Sequence, residues 1–162
     1  MAITSFDPRN PRVVPTNAVP QITDAYLEAN SQSFKAGQFV VMSSGAVSVG
    51  AAGDSPIFGI ALADGTNVSS GNISIPVEII NSDDDVYIQV AASGGTVEAA
   101  DTTCKPGVAY DIQVASNHCT INSSDTTNPK FVFVEALEDA TGASTYWGRF
   151  KPYYLENQVT AG

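Results

Sequence analysis

Two stretches of the 162-residue chain repeat one pattern of turns and apolar runs, and this duplication constrains the fold more than any other feature. The pattern Lys-x-Gly begins at Lys35 and returns at Lys105, and Ala-Leu-x-Asp-x-Thr begins at Ala61 and returns at Ala136. Each copy of such a repeat is one supersecondary unit that buries its apolar face against the other, and two copies are too few for a solenoid. The duplication therefore predicts one domain built from two similar β-units, residues 34–80 and 104–155.

Short apolar runs separated by turn residues fill the chain from residue 34 onward. Many of these runs alternate apolar and polar residues or are rich in β-branched residues, which is typical of strands. About ten short strands at this spacing predict an all-β fold, a compact barrel or sandwich, over a β domain of residues 34–155. No segment has the length and periodicity of a long helix.

The first 33 residues differ from the β domain because they carry four prolines, Pro8, Pro11, Pro15 and Pro20. Each proline restricts its own φ, removes a backbone donor and biases the preceding residue to extended geometry. We therefore expect an extended N-terminal arm over residues 1–33 that orders on a neighbouring molecule, and a short C-terminal tail over residues 156–162. An unstructured N-terminal tail is the alternative, but such tails normally lack apolar residues of the kind found here.

Charge and hydropathy bear on the class of partner. The net charge is −10, and residues 51–145 contain only two lysines, Lys105 and Lys130, against thirteen carboxylates. An acidic body repels nucleic acid and anionic membrane surfaces, and no apolar run approaches the ~18 residues of a membrane span. We expect neither nucleic acid nor membrane as a partner.

The first repeat, taken as a whole, carries a family resemblance. Its order is Lys-Ala-Gly-Gln-Phe-Val-Val from Lys35, Gly-Ala-Val from Gly45, Ala-Gly-Asp from Ala52 and Ile-Phe-Gly-Ile-Ala-Leu-Ala-Asp from Ile57. This order resembles that of tailed-phage head decoration proteins, also called capsid cement proteins, over about residues 34–80. The second repeat matches the same order more loosely.

The resemblance implies a structural role. Members of that family are non-enzymatic virion proteins that bind the outside of the expanded capsid and stabilise it. They are often homotrimers with an N-terminal arm that clamps neighbours. For this chain the resemblance implies the major capsid protein and further copies of itself as partners, no cofactor, and a place on the capsid exterior after assembly in the host cytoplasm.

The predicted contact residues lie near the two ends of the chain, where aromatic and basic residues concentrate outside the acidic body. Trp, Tyr and Arg are enriched at protein–protein hot spots, and the cations would meet acidic patches on the shell. The alternative is a carbohydrate- or receptor-binding β module of a phage tail or surface appendage that uses Trp147 and Tyr153. The predicted capsid or subunit contacts are Phe6, Arg9, Arg12, Val13, Val14, Tyr146, Trp147, Arg149, Lys151 and Tyr153.

Three residue groups resemble reactive or metal-binding sites, and we predict neither catalysis nor a metal at any of them. The run Asp83-Asp84-Asp85 lacks the spacing of a calcium loop, so we interpret it as an acidic, solvated turn. His118 beside Cys119 lacks the further ligands of a zinc site and the third group of a nucleophilic triad, so a polar turn is the interpretation. Cys104 and Cys119 are interpreted as half-buried thiols, with a disulfide between them left open.

Overall fold

The computed structural model describes residues 11–15, 19–51, 56–70, 72–115, 118–137 and 146–153. Within these ranges the chain forms twelve strands and one short helix, so the predicted all-β fold is confirmed. The elements are β1 Arg12–Val14, β2 Ile22–Thr23, β3 Phe39–Ser43, β4 Ala46–Val49, β5 Gly59–Ala61, β6 Val77–Ile79, β7 Asp85–Ala91, α1 Ala100–Thr103, β8 Ala109–Tyr110, β9 Ile112–Ala115, β10 His118–Asn122, β11 Phe131–Ala136 and β12 Trp147–Pro152.

The strands form two sheets with related connectivity. The five-stranded sheet has the order β2-β6-β5-β3-β4, and the seven-stranded sheet has the order β8-β11-β12-β7-β10-β9 with β1 beside β7. In the five-stranded sheet β3 is followed by β5, β6 and β2. In the seven-stranded sheet β8 is followed by β11, β12 and β7, so the two series correspond strand for strand. A parallel contact recurs as well, between Glu28 and Val47 in the first sheet and between β7 and β10 in the second. The two β-units inferred from the sequence are therefore real structural units.

Backbone hydrogen bonds align the two units residue by residue. Gly37 N–H donates to the Ala61 carbonyl at 2.7 Å, and Gly107 N–H donates to the Phe133 carbonyl at 2.9 Å. Both glycines have positive φ, 90° and 81°, a conformation that glycine adopts without a Cβ penalty. Phe133 is thus the counterpart of Ala61, and the alignment with Ala136 that the repeated letters suggested is wrong by three residues. The repeated letters do not reveal which residues of the two units form equivalent backbone hydrogen bonds. In the second unit the pairing register of β11 with β12 also shifts between Phe133 and Glu135.

The units also begin earlier than the sequence suggested. β2 pairs with β6 as β7 pairs with β12, with Thr23 opposite Val77 and Val86 opposite Phe150. β2 lies within the predicted arm and β7 lies between the two repeat ranges, so each unit gains a first strand that the repeat pattern does not include. Two-residue strands such as β2 carry too little pattern to be recognised.

The main core lies between the sheets and explains the alternating sequence pattern. Phe39 and Val41 of β3 enter this core, whereas Val40 between them enters a smaller cluster on the other side of the five-stranded sheet. Phe39 stacks on Phe131 of the seven-stranded sheet with ring centroids 5.2 Å apart. Because successive side chains point to opposite faces of a strand, Phe39–Val41 of β3 are apolar and buried on both sides, whereas the strand ends at the exposed Ser43.

The described part of the predicted arm is built into these sheets. β1 runs antiparallel to β7, and β2 runs antiparallel to β6. Val13 packs against the main core, and the Glu28 carboxylate is buried and accepts hydrogen bonds from the N–H and hydroxyl of Thr66. Residues 11–15 and 19–33 therefore contact their own chain rather than projecting from it.

Candidate interaction surface

Five of the predicted contact residues, drawn from both ends of the chain, lie together on one side of the seven-stranded sheet. These are Arg12 and Val14 on β1 and Trp147, Arg149 and Lys151 on β12. The sheet brings them together because β1 and β12 pair with opposite sides of β7. A sequence separation of more than 130 residues is thus reduced to two strand spacings, about 10 Å.

Strand register arranges these residues in rows. Arg12 lies opposite Tyr87, Tyr87 lies opposite Arg149, and Arg149 lies opposite Glu135 on β11. In the next row Val14 lies opposite Asp85, and Lys151 lies opposite Val132. Gly148 and Phe150, which alternate with Arg149 and Lys151, are buried beneath. The outer face is defined here as Arg12, Val14, Asp85, Tyr87, Val132, Glu135, Trp147, Arg149 and Lys151.

Ion pairs within the chain hold two cations of the outer face, Arg149 and Lys151. Arg149 Nε lies 2.9 Å from Glu135 Oε1, and its Nη1 lies 3.3 Å from Asp85 Oδ2. Lys151 Nζ lies 3.2 Å from Asp85 Oδ1 and donates to the Asp83 carbonyl at 3.0 Å. Desolvation lowers the pKa of Arg149, but the hydrogen bonds and charges of Glu135 and Asp85 together outweigh it, and the pKa of Arg149 is raised. The side chains are thus held in place, although such exposed pairs add under about 1 kcal/mol each to stability.

Sequence reasoning missed the carboxylates and Tyr87 of this face. In the sequence Asp85 belongs to the acidic run and Glu135 to the acidic body, so neither is predicted as a contact residue. The alternation of Val86 and Ile88 with Tyr87 and Gln89 was a usable signal, since it places Tyr87 on the side of β7 that faces away from the core. The pairing of β7 with both β1 and β12 had no sequence signal.

The other predicted contact residues lie elsewhere. Phe6 and Arg9 fall outside the described residues, and Val13 faces the core from β1. Tyr146, just before β12, is 52% exposed, although the alternation would have placed it with the buried Gly148. Tyr153 borders a cavity of about 10 Å³, which has room for about one water molecule and not for a sugar.

The acidic run does not form a joint site. Asp84 is buried, and its Oδ2 accepts hydrogen bonds from the backbone N–H of Asn81 at 2.8 Å and from Asn81 Nδ2 at 3.0 Å. Asp85 instead pairs with the cations of the outer face, and Asp83 is exposed. Across the part of the chain that the structure describes, no group of three or more His, Cys, Asp or Glu side chains is placed to hold a metal ion.

Both cysteines are free and buried, which corrects the expectation of half-burial and answers the open disulfide question. Burial raises the pKa of the Cys104 and Cys119 thiols to about 11 each. Cys119 Sγ accepts a hydrogen bond from Phe39 N–H at 3.4 Å. A cysteine nucleophile needs a lowered pKa and access to substrate, and neither thiol has them. The His118 side chain lies outside the described residues.

Comparison of the chain with models of protein families, with curated proteins and with solved structures found no match. The described ranges contain no helix that is both long enough and apolar enough to cross a membrane.

Proposed function

We propose that this chain is a structural virion protein that binds the outer surface of an expanded phage capsid and stabilises it. The major capsid protein is its partner, and it assembles as a homotrimer on the capsid exterior without catalytic activity. The proposal is supported by the ordered motif resemblance of residues 34–80 to head decoration proteins and by the outer face.

The outer face is the observation that carries the proposal. It combines the exposed Val14 and the half-buried Val132 with Trp147 and the held guanidinium of Arg149. Trp and Arg are the residues that most often dominate binding energy at interfaces. Because Arg149 is already oriented by Glu135 and Asp85, less side-chain entropy is lost on docking. Such a face is suited to a protein surface with apolar and acidic groups.

The residues of the family-like motif stabilise turns and strand contacts of the first unit. Asp64 accepts a hydrogen bond from Ala36 N–H at 2.9 Å and pairs with Lys35 Nζ at 2.8 Å. Gly37 supplies the positive φ of the same turn, and Gly59 allows β5 to approach β6 closely. The residues of the shared motif therefore stabilise the fold. We assign the binding specificity to the outer face.

A cement protein stabilises a shell because it binds the assembled lattice and not the separated subunits. Many copies on a symmetric lattice gain further through multivalent attachment when each trimer bridges several subunits. A non-catalytic body rich in short strands and ion-paired surface residues is suited to this role. Light scattering on the purified protein should give the mass of a trimer.

A pair of matched substitutions tests the outer face. Val14 is 38% exposed on β1, and Val114 is 39% exposed on β9, a strand of the same sheet that pairs with none of the strands of the outer face. We expect Val14→Gln to weaken binding to expanded capsids about tenfold, the effect of losing about 1.4 kcal/mol at an interface. Val114→Gln should bind like the parent protein in the same co-sedimentation assay. Equal binding by both variants would remove the outer face from the proposal.

A further inference from the structure

β1 and β2 form one edge of the molecule that runs past both sheets. β1 runs antiparallel to β7, with Val14 opposite Asp85. β2 runs antiparallel to β6, with Ile22 opposite Glu78. Eight positions separate the valine from the isoleucine and seven separate their two partners, so both pairings belong to one ribbon that stays in step to within one residue. Because β7 belongs to the seven-stranded sheet and β6 to the five-stranded sheet, the edge passes from one sheet to the other.

On β1 the backbone N–H and C=O of Val13 point away from β7. Neighbouring residues of an antiparallel strand direct these groups to opposite sides. In β7 Val90 bonds toward β12, because its N–H donates to the Tyr146 carbonyl at 2.8 Å, and Val86, four positions earlier, bonds toward the same side. Val13 lies opposite Val86, so its own backbone groups face the uncovered side of β1.

On β2 the backbone groups of Ile22 are directed outward in the same way. Ile79 N–H donates to the Gln21 carbonyl at 2.7 Å, so Gln21 bonds toward β6 and the next residue, Ile22, bonds toward the other side. The Ile22 side chain is 60% exposed, and no described strand pairs with the outer side of β1 or β2. The edge therefore offers two hydrogen-bonding positions, one in each sheet.

A second copy of this chain matches both positions, whereas a straight strand of another protein does not. Uncovered edges pair readily with other strands. A straight strand can follow β1 or β2 but not both, because the two lie in different sheets. The same edge of a second copy passes between its sheets at the same place. Two identical edges in antiparallel pairing are related by a two-fold axis, so Val13 of each copy then faces Ile22 of the other.

The side chains of this pair lie on matching sides of their sheets. Val13 packs against the main core. Ile22 lies opposite Glu78, two positions before Ile80, which also belongs to the main core. Residues directly opposite each other share a face of the sheet, so both side chains lie on the core-facing side. Pairing therefore covers the exposed Ile22 with the valine of the second copy.

The same register opposes no like charges. Next to the pair of Val13 and Ile22, Arg12 meets Thr23 of the second copy, and Val14 meets Gln21 of the second copy. Like charges directly opposite each other would destabilise the pairing. The contact is thus one apolar pair flanked by neutral partners.

We propose that the chain self-associates through the edge of β1 and β2 about a two-fold axis, so that the seven-stranded sheet of each copy continues into the five-stranded sheet of the other. A two-fold contact joins copies in pairs, so the three-fold contact of the proposed trimer uses another surface. The edge binds through backbone groups, whereas the outer face binds through side chains above the sheet. This proposal therefore stands or falls independently of capsid binding.

Sedimentation equilibrium of the full-length protein tests the contact. We expect the weight-average mass to rise above that of the dilute species with a dissociation constant between about 10 µM and 1 mM, as suits a small contact. Ile22→Pro removes the outward N–H and keeps the bonds of β2 to β6, because proline is tolerated where the N–H of an edge strand faces solvent. This variant should associate at least about tenfold more weakly.

Val114→Pro is the matched control on another edge strand. Asn122 N–H donates to the Asp111 carbonyl at 2.9 Å, so by the same alternation the Val114 N–H points away from β10. This variant should associate like the parent protein. Loss of association in both variants, retained association in a folded Ile22→Pro variant, or a constant mass up to about 1 mM would each overturn the proposal.

Disulfide trapping tests the register even if Ile22→Pro fails to fold. The Cα atoms of a hydrogen-bonded antiparallel pair lie about 5.5 Å apart, which suits a disulfide. A mixture of Val13→Cys and Ile22→Cys proteins should form a disulfide-linked pair of unlike variants under mild oxidation, as read by mass spectrometry without reduction. The native cysteines are buried, so neither variant alone should link. No linkage in the mixture, or equal linkage within a single variant, would contradict the proposal.

Discussion

At the scale of single residues, the structure explains several positions that the sequence left ambiguous. Gly59 sits where β5 and β6 approach most closely, and a Cβ there would lie 2.3 Å from the Glu78 carbonyl oxygen and 2.6 Å from Val77 Cγ1. Gly94 has a φ of +90° but open space around it. Both glycines are required, one because of contact and the other because of backbone conformation.

Because of this difference, we expect substitution by alanine to destabilise the protein more at Gly59 than at Gly94. Gly59→Ala forces backbone atoms apart and should lower the free energy of unfolding by about 3 kcal/mol or more. Gly94→Ala meets only the conformational penalty of a positive φ, about 1 kcal/mol. Urea denaturation of both variants checks this order, and a Gly94→Ala variant as unstable as Gly59→Ala would contradict it.

The buried thiols predict an alkaline limit on stability. Their folded pKa of about 11 lies above the ordinary value of 9.0, so the folded state holds these protons more tightly than the unfolded state. The stabilising contribution is complete below pH 9 and is lost as pH rises toward 11. We expect the denaturation midpoint to fall over this window, and to fall less in a Cys104→Ala/Cys119→Ala variant.

Alkylation provides a check on the same residues. Iodoacetamide under mildly alkaline conditions should leave both thiols unmodified in the native protein and modify both in urea, as read by mass spectrometry. Rapid modification of either thiol in the native state would show that it is accessible and reactive, contrary to the structure.

At the scale of elements, local signals predicted hairpins well and long-range pairing poorly. Ser44-Gly45, a Ser-Gly dipeptide between two apolar runs, is a local turn signal. It forms the turn between β3 and β4, and both residues have positive φ, 51° and 80°, as a type I′ hairpin turn requires. The pairing of β1 with β7 has no such signal, because antiparallel partners more than 70 residues apart leave no mark in local periodicity. The buried pair Lys130 and Asp111, 3.9 Å apart, was likewise invisible, since each residue reads as a surface charge.

The element β1 carries a prediction about the N-terminus. Deletion of residues 1–15 removes a three-residue strand and the half-buried Val13, so we expect a loss of about 1–3 kcal/mol in stability with the rest of the fold retained. The same deletion removes Arg12 and Val14 from the outer face and should weaken capsid binding. Retention of the β spectrum in circular dichroism is the measurement, and a fully unfolded product would show that β1 is essential to the fold.

At the scale of the whole molecule, the two units share one core, and the outer face is built on the second unit alone. Both units share the main core, with Phe39 of the first stacked on Phe131 of the second, so the chain behaves as one body. β1 extends only the second unit, beside β7, and with β12 it brings the two ends of the chain onto one surface. The repeat can be recognised in the sequence because the same residue types recur in the turns of both units. The surface was not visible, because it depends on which strand each chain end joins.

The shared core also predicts cooperative unfolding. Because the large apolar cluster draws residues from both sheets, unfolding of either unit would expose apolar side chains of the other, which couples the two transitions. Calorimetry should show one transition whose calorimetric and van't Hoff enthalpies agree. Two separate transitions would mean that the units are independent domains.

Co-sedimentation of the purified protein with expanded, undecorated capsids tests the capsid-binding proposal most directly. We expect saturable binding at a stoichiometry that matches the lattice symmetry, together with a higher disruption temperature of the decorated shells. Failure to bind expanded capsids, or binding that leaves their resistance to heat unchanged, would contradict the proposal that this protein is a capsid cement.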